Sequence, residues 1–368
     1  MIYLDNAATS FPKPPSVIRE VCSCLNKYCG NPGRSSHRMA LAAANKIFDT
    51  RVLISEFIHY DRCENVVFTP NATYALNLVI KGTVKEKCHC IISDLEHNSV
   101  LRPLYKAMNK YGGEISLFDT DLPLEDAIPP LIQYNTKVIV STLSSNVTGK
   151  TVDISALSKI AKANNLKLII DASQYLGHCE LNLENLYFTA LCCAGHKALF
   201  GIQGSAFAVI NDTELMDTIC EGGSGIDTFS NKMPELLPER YEAGTLSTPA
   251  IASLCAGISF IKQVGIENIS ARIKALTKIL SEELSTIKGI TVYGAENGIL
   301  SFNLKDYNSS QVSDLLDKAG IATRAGFHCS PLIHEKMGTT ERGAIRISLS
   351  YFNTEQEISK LCKILRKI

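Results

Sequence analysis

The 368-residue chain has no net charge: 37 Lys and Arg residues are balanced by 37 Asp and Glu. That balance leaves no electrostatic footprint for nucleic acid or an acidic membrane surface. No apolar run approaches the ~18 residues that span a bilayer. The chain also lacks internal repeats, blocks of like charge and low-complexity segments. Its start, Met1 to Asp5, lacks the basic and apolar stretches of a secretory signal. The 13 cysteines include two C-x-C pairs, Cys22/Cys24 and Cys88/Cys90, and the adjacent Cys192 and Cys193, but not the repeated C-x-x-C spacing of a zinc site. These absences set aside collagenous, disordered, secreted and membrane-spanning classes. They predict a cytoplasmic protein with reduced cysteines, most of them small buried residues, and with no metal.

What is present is alternation. Val66-Val67-Phe68, Ile91-Ile92, Val138-Ile139-Val140 and Leu168-Ile169-Ile170 are short runs rich in β-branched residues, the pattern of buried parallel strands. Ile154, Leu157, Ile160 and Ala161 follow helical spacing after Asp153, a candidate N-cap. Strands alternating with helices predict βαβ units and an α/β fold with a mostly parallel sheet. After residue 250 the pattern changes. Helical stretches lead to candidate strands at 290–293, 299–302 and 345–349, and Thr354 to Glu357 forms a capping box before a last helix. The division expected is a segment 1–14, a large α/β domain 15–250 and a smaller α+β domain 251–368.

Two residues suggest chemistry. Asp171 directly follows Leu168-Ile169-Ile170, at the carboxyl end of a strand, where open α/β sheets collect ligands. A carboxylate there is suited to a protonated ring nitrogen, although a helix-capping Asp has the same local look. Lys197 follows the apolar run Leu191-Cys192-Cys193 and sits between Gly195 and Gly201. Lysines form Schiff bases with carbonyls, and pyridoxal phosphate is the usual partner. The order Asp171, Gln174, then His196-Lys197 is a pyridoxal-phosphate layout.

Motifs in the same order run from Tyr3-Leu4-Asp5-Asn6-Ala7-Ala8-Thr9 to Tyr351-Phe352-Asn353-Thr354. They include Asn71-Ala72-Thr73, Glu96-His97, Ser145-Asn146-Val147, Gly195-His196-Lys197, Glu242-Ala243-Gly244-Thr245 and Arg324-Ala325-Gly326-Phe327-His328-Cys329. On these motifs the chain resembles the class V (fold type I) aminotransferase superfamily, and within it the cysteine desulfurases and selenocysteine lyases. The short R-x-G-x-H-C segment resembles the group II, SUF-type enzymes. The fold implied is a large α/β domain around a mostly parallel seven-stranded sheet, with a smaller α+β domain carrying the catalytic cysteine and the N-terminal segment packed beside it.

The resemblance implies roles. Lys197 would carry pyridoxal 5'-phosphate through a Schiff base and shuttle the substrate's α-proton, Asp171 would pair with the ring nitrogen, and His97 would stack on the ring. Gln174 and Asn146 would bond the cofactor's phenolic oxygen or the substrate carboxylate. Ala72 and Thr73, at the opening of a helix, would hold the phosphate with His196 and with Thr245 of a second subunit, in a homodimer with composite sites. Ala194 stands where the SUF-type pattern has a phosphate-binding serine, so one hydrogen bond worth ~1 kcal/mol is expected to be missing. Arg346 would grip the substrate's carboxylate, its planar fork suiting that group. Asn31 and the stretch Arg34 to His37 fall near the substrate entrance. Cys329 would accept sulfur from L-cysteine as a persulfide, leaving L-alanine, with His328 or His334 as aids to its ionisation and a sulfur-acceptor protein as a further partner.

Three alternatives stand beside this reading. A selenocysteine lyase would use the same fold and cofactor without needing Cys329. A non-enzymatic cysteine-rich metal or redox protein leaves Asp171, Lys197 and Arg346 unexplained. A cysteine protease fares no better, because adjacent side chains on an extended segment would point His328 away from Cys329.

Overall fold

The computed structural model describes residues 1–33, 36–212, 214 and 216–368. The chain opens with strand β1 (Ile2–Tyr3) and helices α1 (Pro15–Lys27) and α2 (Arg38–Phe57). Strands and helices then alternate through β2 (Val66–Thr69), α3 (Ala72–Thr83), β3 (His89–Ser93), α4 (Asn98–Tyr111), β4 (Glu114–Phe118) and a single helical turn α5 (Leu124–Ala127). They continue through β5 (Thr136–Thr142), α6 (Ile154–Ala163), β6 (Lys167–Asp171), β7 (Ala190–Ala194) and β8 (Ala206–Ile210). The apolar runs of the sequence are strands of one seven-stranded sheet, ordered β2-β8-β7-β6-β5-β3-β4. β8 runs against both its neighbours, and the remaining pairs are parallel. Both faces are covered. Cys90, Ile92, Val138, Val140, Ile169 and Cys192 face one core, while Ile91, Ile139, Leu168, Ile170 and Leu191 face the other. Two-sided burial explains why these strands read as continuous apolar runs rather than alternating ones. Asp153 caps α6, its Oδ1 accepting from Ser155 N and Ala156 N.

The remaining elements are α7 (Thr248–Val264), α8 (Ile266–Ser285), β9 (Ile290–Glu296), β10 (Ile299–Leu304), α9 (Ser309–Lys318), β11 (Ile321–Ala322), β12 (Arg324–Gly326), α10 (Pro331–Lys336), β13 (Ala344–Ser348) and α11 (Glu355–Leu365). An antiparallel sheet runs β12-β13-β10-β9, and β1 pairs in parallel with β11. Ile2 and Leu4 bury among Leu276, Phe302, Ile347 and Leu361. Thr354 Oγ1 accepts from Glu357 N while Glu357 Oε2 accepts from Thr354 N, closing the capping box that starts α11. α7 begins at the position expected for the domain boundary, yet Ile251, Leu254, Ile258 and Ile261 bury on the large sheet's side. α8 is one continuous helix with a stripe for each core: Ile269 and Ile273 join the large core, and Leu276, Leu280 and Leu284 the small one. The cores therefore change over between Ile273 and Leu276.

Among the described residues no single helix is long and apolar enough to cross a membrane. Six cysteines are buried, three half-buried and four exposed, which corrects the expectation that most are buried. The exposed ones lie on the outer face of α1 (Cys22) or in loops (Cys29, Cys220, Cys329), where no core is available to cover them.

The two parts interlock at one end of the large sheet. Asn297, in the turn between β9 and β10, donates Nδ2 to Ser144 Oγ (3.1 Å) and Gln174 O (3.0 Å). Gly149 has φ of 75° and passes so close that a β-carbon there would lie 1.7 Å from Glu296 O. A side chain at this position is opposed by both the left-handed backbone and the contact. Gly149→Ala is therefore expected to lower stability by at least about 2 kcal/mol, read as a lower denaturant midpoint. An unchanged midpoint would contradict the close approach.

Candidate active site

The parallel strands end at one edge of the large sheet, and β2, lying beyond the reversed β8, ends there too. That edge delivers Asn71 to Thr73 after β2, Glu96-His97 after β3, Asn146 after β5, Asp171 at the end of β6, and His196-Lys197 after β7. Asp171 is buried, and its Oδ1 accepts from Ser173 N at 2.9 Å. Burial pushes the Lys197 amine below the ordinary lysine range; Asp171 holds it up in part, and Arg346 and Arg324 push it down further. Such an amine loses its proton more readily and so becomes a nucleophile toward carbonyls.

Asn71 caps α3, its Oδ1 accepting from Tyr74 N (2.9 Å), and leaves a helix N-terminus open beside the edge. Thr73 Oγ1 lies 2.8 Å from Ser99 Oγ, which lies 2.9 Å from His97 Nδ1. Ser99 N also donates to that Nδ1 (3.0 Å), so the neutral ring carries its proton on Nε2. Burial, helped by the Lys197 charge, pushes His97 down to about 4. His196 is pushed to about 4 by the same two causes, and its buried Nδ1 has no hydrogen-bond partner. Its carbonyl is held from the N-terminal segment by Ser10 N (3.2 Å) and Lys13 Nζ (2.8 Å). Gln174 Nε2 donates to Ala7 O (2.9 Å), and Ala194 closes β7 with a buried methyl.

Arg346 is almost wholly enclosed, at 1% exposure. It points away from the small domain's core and donates Nη2 to Asp5 Oδ1 (2.7 Å) and Nη1 to Asn146 O (3.0 Å), while its buried Nε has no partner. Asn146 is occupied in a way its sequence context did not show: Nδ2 donates to His328 O (2.8 Å) and Oδ1 accepts from Ser330 Oγ (2.6 Å). It fastens the segment that carries Cys329. Asn98 N, in the first turn of α4, donates to Cys329 O at 2.7 Å. His328 and Cys329 have φ of 51° and 58°, a left-handed pair that costs about 1–3 kcal/mol per residue unless its surroundings hold it. This segment is a tight turn, not the extended stretch expected. His328 is buried and Cys329 is exposed.

The expectation that His328 or His334 aids ionisation of Cys329 is not met. Burial and the charge of Arg346 push His328 down to about 2, and burial pushes His334 to about 4. Both rings are neutral and already hydrogen-bonded, so neither offers positive charge to the thiol.

Lys197, Asp171, His97 and Arg346 thus influence one another in the cleft between the two domains, Thr73 joins through Ser99 and His97, Asn146 through Arg346 and His196 beside Lys197, and the exposed Cys329 is fastened to the same edge through Asn98. Thr245 and His37 stand elsewhere. Thr245 is exposed, its Oγ1 accepting from Asn31 Nδ2 (3.4 Å), and His37 caps α2, its Nδ1 accepting from Ala40 N (3.3 Å). Arg34 lies outside the described residues. Asp5, Asn98, Ser99, Ser330 and Arg324 had no role in the sequence reading. Arg324 and Arg346 both act on Lys197, His97 and His328, which places Arg324 at the same cleft. The motif containing Arg324 was the available signal for it; the others act through backbone groups or single hydroxyls and leave no spacing pattern.

The family model described as Aminotransferase class-V matches residues 2–361. A probable cysteine desulfurase of Methanothermobacter thermautotrophicus is 29% identical over all of this chain and 94% of its own length. A cysteine desulfurase of Escherichia coli is 28% identical over all of this chain and 93% of its own. Among solved structures, the apo cysteine desulfurase of Thermococcus onnurineus superposes with a TM-score of 0.91 at 27% identity, covering all of this chain and 94% of that one.

The buried neutral imidazoles have a thermodynamic consequence. His178 and His334 titrate at about 4 and His328 at about 2, against ~6.5 in an unfolded chain. The unfolded state therefore binds more protons below pH ~6.5, and folding stability present above that pH is lost as the pH falls through the folded values. Each of the three adds a slope of up to ~1.4 kcal/mol per pH unit. The denaturant midpoint is expected to be clearly lower at about pH 5 than at about pH 7.5; equal midpoints would refute this.

Proposed function

The chain belongs to the class-V aminotransferases, and on that premise we propose that it is a pyridoxal-phosphate-dependent cysteine desulfurase, which releases L-alanine from L-cysteine and keeps the sulfur as a persulfide on Cys329. The relatives named above support this reading. The observation that carries it is the hydrogen bond from Asn98 N to Cys329 O, which fixes an exposed thiol beside His97 at the edge bearing Lys197 and Asp171.

The cleft suits the cofactor. Arg346 Nε is a buried charged donor with no partner and suits an anion, His196 Nδ1 is likewise without a partner and would donate to a phosphate in the tautomer protonated there, and the open N-terminus of α3 with Thr73 supplies further donors. When bound, the cofactor withdraws electrons from the substrate's α-carbon and loosens the carbon–sulfur bond. Lys197 would hold the cofactor through its aldehyde, and its lowered amine suits it to take and return the substrate's α-proton. Asp171 favours a protonated ring nitrogen, and the neutral His97 ring offers a flat, uncharged face. Gln174 would serve the phenolic oxygen, and Arg346 would orient the substrate carboxylate with Asn146 holding its guanidinium through a backbone carbonyl.

The Cys329 thiolate attacks the substrate's sulfur. A sulfur–sulfur bond forms as the carbon–sulfur bond breaks, the electron pair stays with the amino-acid fragment, and protonation completes alanine. Exposure of Cys329 leaves its persulfide open to a sulfur-acceptor protein, and the exposed Thr245 is free to reach a second copy in a homodimer. The short turn from Arg324 to Cys329 fits the SUF-type group.

Lys197→Ala is expected to lower alanine release by at least about a thousandfold, because the residues act as a unit, and to leave the purified protein without its cofactor colour. Cys329→Ala is expected to abolish alanine release from L-cysteine while sparing action on L-selenocysteine, whose selenium leaves more readily. Unchanged turnover of L-cysteine by Cys329→Ala would overturn the proposal.

A further inference from the structure

Behind Cys329 lies a hydrogen-bonded row that the proposed reaction does not use. His328 Nε2 is 3.3 Å from Arg324 O, His328 Nδ1 is 3.2 Å from His334 Nε2, and His334 Nδ1 is 2.7 Å from Thr339 Oγ1. The ring centroids are 5.4 Å apart and the ring planes only 16° apart. All three residues are buried: His328 is 3%, His334 1% and Thr339 1% exposed.

The partners fix the protons. A carbonyl only accepts, so His328 Nε2 carries the hydrogen and its Nδ1 is a bare acceptor. His334 must then donate from Nε2, and its own Nδ1 accepts the Thr339 hydroxyl. Burial keeps both rings neutral, and with neutral rings this arrangement satisfies the row, the Thr339 hydroxyl lying also 3.4 Å from His334 O. Arg324 and Arg346 are the charged groups acting on His328. Both are positive, so neither can compensate an added proton on His328.

The row terminates at a carbonyl and not at the thiol, so it is no proton path to Cys329. It does hold the left-handed turn from one side, while Asn146 and Asn98 hold it from the other. His334 stands on α10, after the turn, and Phe327 packs its ring edgewise on His334 with centroids 5.6 Å apart. The position of Cys329 is therefore tied to a buried residue outside the group Lys197, Asp171, His97 and Arg346.

We propose that His334 is a positioning residue for Cys329: through its hydrogen bond to His328 it keeps the turn in the one conformation that presents the thiol to the cleft. The kinetic arm of its test rests on the desulfurase reading; the alkylation arm does not.

The holoenzyme and its His334→Leu, His334→Gln and Thr339→Val variants are compared in three measurements. These are alkylation of Cys329 by iodoacetamide, resolved by peptide mass spectrometry; alanine released in the first turnover of L-cysteine; and exchange of the α-hydrogen of L-alanine in deuterium oxide, which needs Lys197 but not Cys329. In His334→Leu the first turnover is expected to slow by at least about tenfold, the scale of a sub-ångström misplacement. Cys329 alkylation should change by at least about threefold, and exchange should stay within about twofold. His334→Gln, whose amide can donate from nearly the same place, should recover most of both losses. Rates for His334→Leu within twofold of wild type, or exchange falling together with the other two, overturn the proposal. If His334→Leu does not fold, Thr339→Val decides by the same measures, and no change in it counts against the proposal. If the wild type makes no alanine, the desulfurase reading fails and the alkylation arm alone decides the role of His334.

Discussion

A single main-chain hydrogen bond, Asn98 N to Cys329 O at 2.7 Å, connects the two halves of the chemistry. On one side stands the carboxyl edge of the large sheet, with Asp171, Lys197 and His97. On the other stands a left-handed turn from the small sheet, carrying an exposed thiol. Without that bond and the paired bonds of Asn146 to His328 O and Ser330 Oγ, two residues with positive φ would relax toward ordinary backbone, and Cys329 would lose its fixed place. Because Arg346 also donates to Asn146 O, the residue proposed to grip the carboxylate and the proposed nucleophile share one support.

Burial sets the electrostatics of the cleft. It pushes the Lys197 amine down, keeps His97, His196, His328 and His334 neutral, and leaves Arg346 Nε and His196 Nδ1 without partners. Unpaired buried donors are costly in the folded chain. An anionic ligand would satisfy Arg346 Nε, in line with the proposed grip on a substrate carboxylate. The N-terminal segment belongs to this arrangement: Asp5 pairs with Arg346, Ala7 accepts from Gln174, and Ser10 and Lys13 hold the carbonyl preceding Lys197.

The large sheet was legible because its strands are buried on both faces, which turns Val138-Ile139-Val140 or Leu168-Ile169-Ile170 into an unmistakable apolar run. Asp171 and Lys197 were legible because each follows such a run at the edge where ligands collect. What the sequence could not show depends on distance along the chain. Asn146 reads as an isolated amide, and only the fold reveals that it fastens a turn far along the chain. Asn98 acts through its backbone, which carries no residue signature at all. His328 and His334 looked like aids to a thiolate because proximity in sequence suggests a charge partner; burial removed the charge and left a support. The change of core within α8 was hidden because one unbroken helix serves both cores, and composition does not shift where the packing does.

The central claim is that sulfur moves from the substrate to Cys329 within this cleft. It is tested most directly by mixing the holoenzyme with one equivalent of L-cysteine, quenching with a thiol-blocking alkylator, and mapping every cysteine peptide by mass spectrometry. The account predicts one added sulfur atom on the peptide containing Cys329, in step with one equivalent of alanine, and none on the other twelve cysteines. Alanine formed with sulfur released as free sulfide, or first found on another cysteine, would contradict it.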